Sequence, residues 1–258
     1  MKGKRVLVTG AGSGIGRASA YHLAEQGARI ALVGRTEDEL REVFQDIGGE
    51  SAGHLVIAAD ISSEIEMIAC YEGISLHWPQ IDGVVANAGV NGVWAPLSEL
   101  EVHEWDETMA INLRGTFLTV KMLLPLLKPH GGSVVIVSSV NGNRIFSNSG
   151  ATAYACSKAG QVAFAKMIAL ELAKDRIRVN VVCPGAIETN IDDSTERRSV
   201  EELHLPVEFP EGDVPLTQGK PGDAKDVAQL IGFLLSDASS HISGTEIYID
   251  GAQSLLQG

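Results

Sequence analysis

Short apolar, β-branched runs recur along the chain, and each is followed by a longer stretch in which apolar positions return every three or four residues. The runs are Arg5–Thr9, Arg29–Val33, His54–Ala59, Gly83–Ala86, Ser133–Val137, Arg178–Val182 and Glu246–Ile249. They are nearly continuous in apolar residues, as in strands covered on both faces. Helical periodicity marks 14–27, 37–47, 62–77, 104–128, 152–174 and 223–236 between them. This alternation predicts an α/β fold: a doubly wound, mostly parallel, seven-stranded sheet with helices on both faces and right-handed crossovers. No internal repeat or linker divides the chain, so one domain is expected over 1–258. Residues 190–222 break the rhythm, with mixed charge and Pro206, Pro210, Pro215 and Pro221. A long irregular segment after a strand reads as a substrate lid. Trp105–Leu127 and Ala153–Leu172 are apolar nearly all round. Helices of that kind must be covered, which predicts a subunit interface.

Composition narrows the class. The 258 residues are 45% hydrophobic, enough for one large core. The net charge is −13 and no Lys/Arg cluster stands out, which argues against a nucleic-acid or anionic-membrane surface. Cys70, Cys156 and Cys183 form neither a disulfide framework nor a zinc site, and a reducing cytoplasm is the expected compartment. The first apolar run ends in a Gly-rich turn, unlike a signal peptide, and no membrane span is expected. The seven His show no metal-ligand spacing, so no metal is expected.

Thr9-Gly-Ala-Gly-Ser-Gly-Ile-Gly16 lies between the first strand and the first helix, with Gly10, Gly14 and Gly16 spaced Gly-x-x-x-Gly-x-Gly. Such glycines let the backbone approach a pyrophosphate seated on the helix N-terminus. The second strand ends Val33-Gly34-Arg35. An acidic residue there would bind the ribose 2′-OH of NAD, and Arg accommodates a 2′-phosphate. Arg35 therefore favours NADP(H). NAD(H) stays open, because Glu37, Asp38 or Glu39 could pair with Arg35 or take the ribose themselves.

Tyr154 and Lys158 are four residues apart, on one face of the predicted helix. An ammonium beside a phenol favours phenolate and suits acid–base work. Asn87-Ala-Gly89, Ser138-Ser139-Val-Asn-Gly142 and Pro184-Gly-Ala-Ile-Glu-Thr189 follow three strands at their carboxyl ends, where ligands of open α/β sheets bind. Each also suits an ordinary turn.

Together these segments, with Asp60, Asn112 and the tail Gly244-x-x-x-x-x-Asp250-Gly251, run in order over essentially the whole chain. In them the chain resembles the short-chain dehydrogenase/reductase family in its shorter, non-epimerase subtype, a Rossmann-type fold. The stretch Gly219-Lys-Pro-Gly-Asp-Ala-Lys-Asp-Val-Ala looks like the 3-oxoacyl-carrier-protein reductase subgroup. The resemblance implies hydride transfer between NAD(P)(H) and a carbonyl or secondary alcohol. It makes Tyr154 the general acid or base, with Lys158 lowering its pKa and binding the nicotinamide ribose. Ser139 would hold the substrate oxygen, and Asn112 would organise a relay water near Lys158. For the cofactor it implies Gly10, Ser13, Gly14, Ile15 and Gly16 at the pyrophosphate, Asp60 and Ile61 at adenine, Asn87, Ala88 and Gly89 at the adenosine ribose, and Pro184, Gly185, Ile187 and Thr189 towards nicotinamide. It implies a homotetramer, or a homodimer, through the helices over 104–128 and 152–174 and the C-terminal strand region.

The sequence departs from the family pattern in the fifteen-residue step from Ser139 to Tyr154, whose surplus lies in Asn143–Ala151. A substrate borrowed from the family is therefore not secured. Trp94 and Phe146 are wall candidates for the pocket, and Asn141, Arg144 and Glu188 are polar candidates. Cys156 reads as a packing residue and His204 as a loop residue. An NAD-dependent alcohol or polyol dehydrogenase is the competing enzyme, and a catalytically silent nucleotide-binding sensor is the competitor from another class.

Overall fold

Val6 and Val8 leave one side of the first strand and Leu7 leaves the other, and this alternation gives the protein two cores. The computed structural model describes residues 1–203 and 214–257. Seven strands, β1 (Arg5–Thr9), β2 (Arg29–Gly34), β3 (Leu55–Ala58), β4 (Gly83–Ala86), β5 (Gly132–Val137), β6 (Ile177–Pro184) and β7 (Glu246–Ile249), form one sheet. Their order is β3-β2-β1-β4-β5-β6-β7, with every pairing parallel. The register sets Val6 beside both Ile30 and Gly83.

Seven helices cover the faces: α1 (Gly14–Glu25), α2 (Glu37–Asp46), α3 (Glu64–His77), α4 (Val102–Met109), α5 (Gly115–Leu127), α6 (Thr152–Leu172) and α7 (Ala224–Leu235). One core joins Val6, Val8, Ile30, Leu32 and Val135 to α1, α2 and α7 through Leu23, Leu40 and Ile231. The other joins Leu7, Val33, Val84 and Ile136 to α3, α5 and α6 through Met67, Leu123 and Ala165. Both faces are dry, which is why the strands read as unbroken apolar runs. Chain direction across the sheet reverses between β1 and β4, so a crevice opens at their carboxyl ends.

The helix expected over 104–128 is not continuous. α4 and α5 meet in a π-turn, Ala110–Arg114, centred on the fully buried Asn112. Asn112 Oδ1 accepts from the Val90 N–H (2.9 Å), and its Nδ2 donates to Val90 O (2.9 Å) and Ser157 Oγ (3.0 Å). These partners come from other segments, and they draw one extra residue into the turn. The combined helix Val102–Leu127 is long and apolar enough to cross a membrane, but half of its most apolar stretch is buried in the protein, as in a core helix. α5 and α6 are also not covered all round by their own chain. Phe117, Met167 and Leu170 stand 40%, 75% and 84% exposed.

Two described stretches after β6 have regular pairing. Thr195–Arg197 pairs in parallel with Gly92–Trp94, and Gly222–Asp223 pairs with Ile187–Glu188. Arg198 forks onto the Glu104 carboxylate at 2.9 and 2.8 Å. His204, Pro206 and Pro210 lie outside the described residues.

Candidate active site

The glycine turn shapes the crevice between β1 and β4. Gly10 has φ +64°, and a Cβ on Gly16 would lie 2.0 Å from Gly10 O. No side chain fits there, so the chain folds tightly back under the start of α1. Ser13 precedes α1 in extended conformation with its hydroxyl uncommitted, and no acidic residue occupies the first turn. The free N–H groups at that end suit a phosphate. Thr9 Oγ1 accepts from the N–H groups of Asn87 (3.0 Å) and Ala88 (3.1 Å), and Asn87 Nδ2 donates to Thr9 O (3.0 Å). These bonds fix Asn87-Ala-Gly89 across the crevice from Gly10.

Arg35, Asp60 and Ile61 line the same crevice, a cleft of about 280 Å³ that also includes Ile15, Gly89 and Thr189. Among the described residues Arg35 forms no ion pair, and Glu37 is paired with Arg41 instead. Glu39, which the sequence reading left undecided, also lines the cleft and packs against Gly12, where a Cβ would sit 2.7 Å from Glu39 Oε2. The crevice fits a dinucleotide: an uncapped helix end, a backbone cradle without side chains, and polar groups at the far end.

A second cleft of about 310 Å³ shares Ile15, Asn87, Gly89, Thr189 and Ile191 with the first, so the two are halves of one groove. Ser139, Tyr154 and Lys158 line this half. Ser139 follows β5, and its Oγ accepts from Asn141 N at 3.2 Å. Tyr154 and Lys158 stand on the first turns of α6, only 8% and 3% exposed. Lys158 Nζ donates to Val137 O (3.1 Å) and lies 5.5 Å from the Tyr154 ring centroid. Ser138 Oγ donates to Lys158 O, and Ser157 Oγ to Tyr154 O. Asn112 reaches this group through Ser157. Its own carbonyl accepts from Thr116 Oγ1 (2.7 Å) and Gln161 Nε2 (2.8 Å).

The expectation that Lys158 depresses the Tyr154 pKa needs correction for this state. Burial pushes the phenol above its ordinary value, while its hydrogen bond with Ser139 pulls the other way. Lys158 itself falls to about 8 because it is buried, with Cys183 opposing that fall. The physical reason is that Nζ is spent on a carbonyl and both groups have lost their water. At neutral pH the pair is therefore a neutral phenol beside an ammonium.

Trp94 and Asn141 line the second cleft, as do Pro184, Gly185 and Ile187. Arg144, Phe146 and Glu188 do not, which corrects their candidacy. The Arg144 guanidinium stacks 3.4 Å from the Tyr248 ring centroid and bonds Ser254 Oγ. Phe146 is 74% exposed. Glu188 follows the inward Ile187 on a short strand and points away, towards a crevice with Arg17 and Lys225. The sequence reading missed Asn91, Asn148 and Gln253, all in the wall. Asn91 could have been suspected from its place two residues after Asn-Ala-Gly. Gln253, which accepts from Ala186 N at 2.8 Å across 67 residues of chain, left no local signal.

Comparison with known proteins agrees with this geometry. A family model described as short chain dehydrogenase matches residues 4–199. A solved structure of a 3-ketoacyl-ACP reductase from Sinorhizobium meliloti 1021 is 52% identical, covering 98% of this chain and 99% of that one, with a TM-score of 0.91. Levodione reductase from Leifsonia aquatica is 34% identical over 96% of this chain and 93% of its own length. A 3-ketoacyl-(acyl-carrier-protein) reductase from Brucella melitensis, solved in complex with NADH, is 29% identical, covering 98% of this chain and 99% of that one, with a TM-score of 0.86.

Proposed function

The chain belongs to the short-chain dehydrogenases and is an NAD(P)-dependent oxidoreductase; from that premise we propose that it reduces a carbonyl with NADP(H), Tyr154 being the proton donor. The observation that carries this reading is the buried Tyr154, Ser139 and Lys158 in a cleft continuous with the dinucleotide crevice. The nicotinamide, when bound, supplies the hydride to the carbonyl carbon or accepts it in reverse. Tyr154 Oη gives its proton to the carbonyl oxygen as that oxygen gains charge. Ser139 Oγ, hydrogen-bonded to Tyr154 at rest, turns its hydrogen to the same oxygen. Lys158, pinned by Val137 O, places positive charge beside the phenolate left behind. The neutral phenol at rest is the form reduction needs, and all three relatives described above are named as reductases.

Arg35, just after β2 and without an ion pair among the described residues, supports NADP(H) through a 2′-phosphate. Glu39 over Gly12 is the observation that favours the second reading, NAD(H), as a carboxylate within reach of a ribose hydroxyl. Titrating the protein with NADPH and NADH by fluorescence separates them, and tighter NADH binding overturns the preference. The exposed apolar side chains on α5 and α6 support a homotetramer or homodimer through that face, and a monomer by light scattering would refute it. A lid role for the segment after β6 belongs to the same proposal.

Turnover of ketones, compared with Tyr154→Phe, tests the reaction. A loss of about 10²–10⁴-fold in kcat is expected from removing a general acid. Activity that survives the substitution removes Tyr154 from the role. Cofactor binding without turnover on any ketone or alcohol would instead favour a silent sensor.

A further inference from the structure

The wall around the reacting centre carries hydrogen-bonding groups that the fold itself does not use. Asn141 is 6% exposed and lines the cleft, yet among the described residues its carboxamide has no partner within the chain. Its atoms are also absent from the buried, unpartnered polar atoms, so they face open space and not packed protein. Asn148, from the lengthened loop Asn143–Ala151, lines the same cleft with its carboxamide equally uncommitted. Gln253 spends Oε1 on Ala186 N and keeps Nε2. Asn91 spends Nδ2 on Thr195 Oγ1 and keeps Oδ1.

The charges around this wall point the same way. Lys158 is the one cation in it among the described residues, and the proposed reaction uses it. Arg144 is stacked on Tyr248, Arg197 lies over the Trp94 ring at 4.9 Å, and Arg198 is held by Glu104. Asp192 adds a negative charge to the cleft. Among the described residues of this wall, a phosphate or carboxylate on the substrate would find no cation beyond Lys158. A purely apolar ketone would displace water from the carboxamides and leave them unpaired, which a polar site resists strongly.

We propose that this cleft selects a neutral, multiply hydroxylated carbonyl compound, or the corresponding polyol, whose further hydroxyls are held by Asn141 and Asn148. The proposal rests on the carbonyl-reductase reading of the site and adds its substrate class. Hydroxyls both donate and accept, as carboxamides do, so each Asn can satisfy both of its polar atoms on such a substrate.

A matched four-carbon series tests it: butanone, 1-hydroxy-2-butanone, erythrulose and acetoacetate, each reduced by the full-length protein with saturating NADPH or NADH. The expected order of kcat/KM is erythrulose, then hydroxybutanone, then butanone, with at least about tenfold between first and last. Acetoacetate should fall below erythrulose by more than that. Asn141→Leu and, separately, Asn148→Leu should each lower the erythrulose-to-butanone ratio by about tenfold, which roughly corresponds to one lost hydrogen bond. The ratio is taken within one protein sample, so partial misfolding does not mimic the effect. Butanone or acetoacetate matching erythrulose, or a ratio unmoved in both variants, overturns the substrate class. If those substrates are still turned over and Tyr154→Phe still abolishes the turnover, the reaction reading survives that result. No turnover anywhere in the series, with cofactor bound, overturns both.

Discussion

Replacing Lys158 with Met should make the protein more stable while removing its chemistry. Lys158 is 3% exposed, and burial brings its pKa from an ordinary 10.5 to about 8. At about 1.4 kcal/mol for each pH unit, that displacement corresponds to about 3 kcal/mol of penalty for holding the charge inside. Met has similar length and no charge, so the penalty disappears. The lost charge-assisted bond from Nζ to Val137 O takes back about 1.5 kcal/mol. The net gain is about 1.5 kcal/mol at pH 7, which for a chain of this size raises Tm by roughly 3–6 °C. The pH dependence carries the sharper test. Below pH 8 both folded and unfolded wild type hold the proton, and the full penalty is present. Between about pH 8 and 10.5 the folded form releases it first, so wild type gains stability and the gap to Lys158→Met closes. Thermal melts of both proteins without cofactor, from pH 6.5 to 10.5, measure this directly. A variant that melts at or below wild type at pH 7, or a gap that does not shrink with rising pH, refutes the assignment of a buried charge.

Alcohol oxidation needs the Tyr154 phenolate, whose pKa burial holds above the ordinary value, so its rate should climb with pH from 6 to at least 9. A flat profile in a chemistry-limited assay would count against Tyr154 as the base. Arg35→Ala should weaken NADPH by about tenfold or more and NADH far less, the loss of a charge-assisted bond to phosphate; equal weakening marks Arg35 as structural. The Glu104 carboxyl sits below its ordinary 4.5 because Arg198 bonds it and its backbone neighbour Glu101 adds to this. Its contribution is present above about pH 4.5 and fades as pH falls through the folded value, so urea midpoints of wild type and Glu104→Gln should differ at pH 7 and converge in acid; parallel curves would show the fork to be inert.

The strands were legible because both of their faces are dry: unbroken runs such as Val134–Val137 admit few other readings. The groove was legible because glycine spacing is a backbone constraint, as Gly16 against Gly10 O shows. Side-chain direction in loops was not. Arg144 is held by Tyr248 and Ser254, more than 100 residues away, and nothing local to Asn143–Ala151 encodes that. Glu188 was more readable than the sequence analysis made it, since its neighbour Ile187 already occupied the inward position. The Tyr154–Lys158 spacing correctly put both on one face, but the direction of their pKa values depends on burial that spacing does not report.

The π-turn at Ala110–Arg114 has a consequence for chain length. It holds one residue more than an α-helical turn would, and one residue is worth about 100° of rotation. Removing a single residue there would let Val102–Leu127 run as one regular helix. Everything downstream would keep its composition and turn relative to α4 by more than a quarter of a circle. Phe117 and Lys121 would leave the outer surface, and Leu123 and Leu127 would leave the core. A substitution inside α5 perturbs one contact, whereas a one-residue deletion upstream of it exchanges the inside of the helix for its outside. Length variation among relatives should therefore avoid this segment and gather in Asn143–Ala151, where a loop can absorb it.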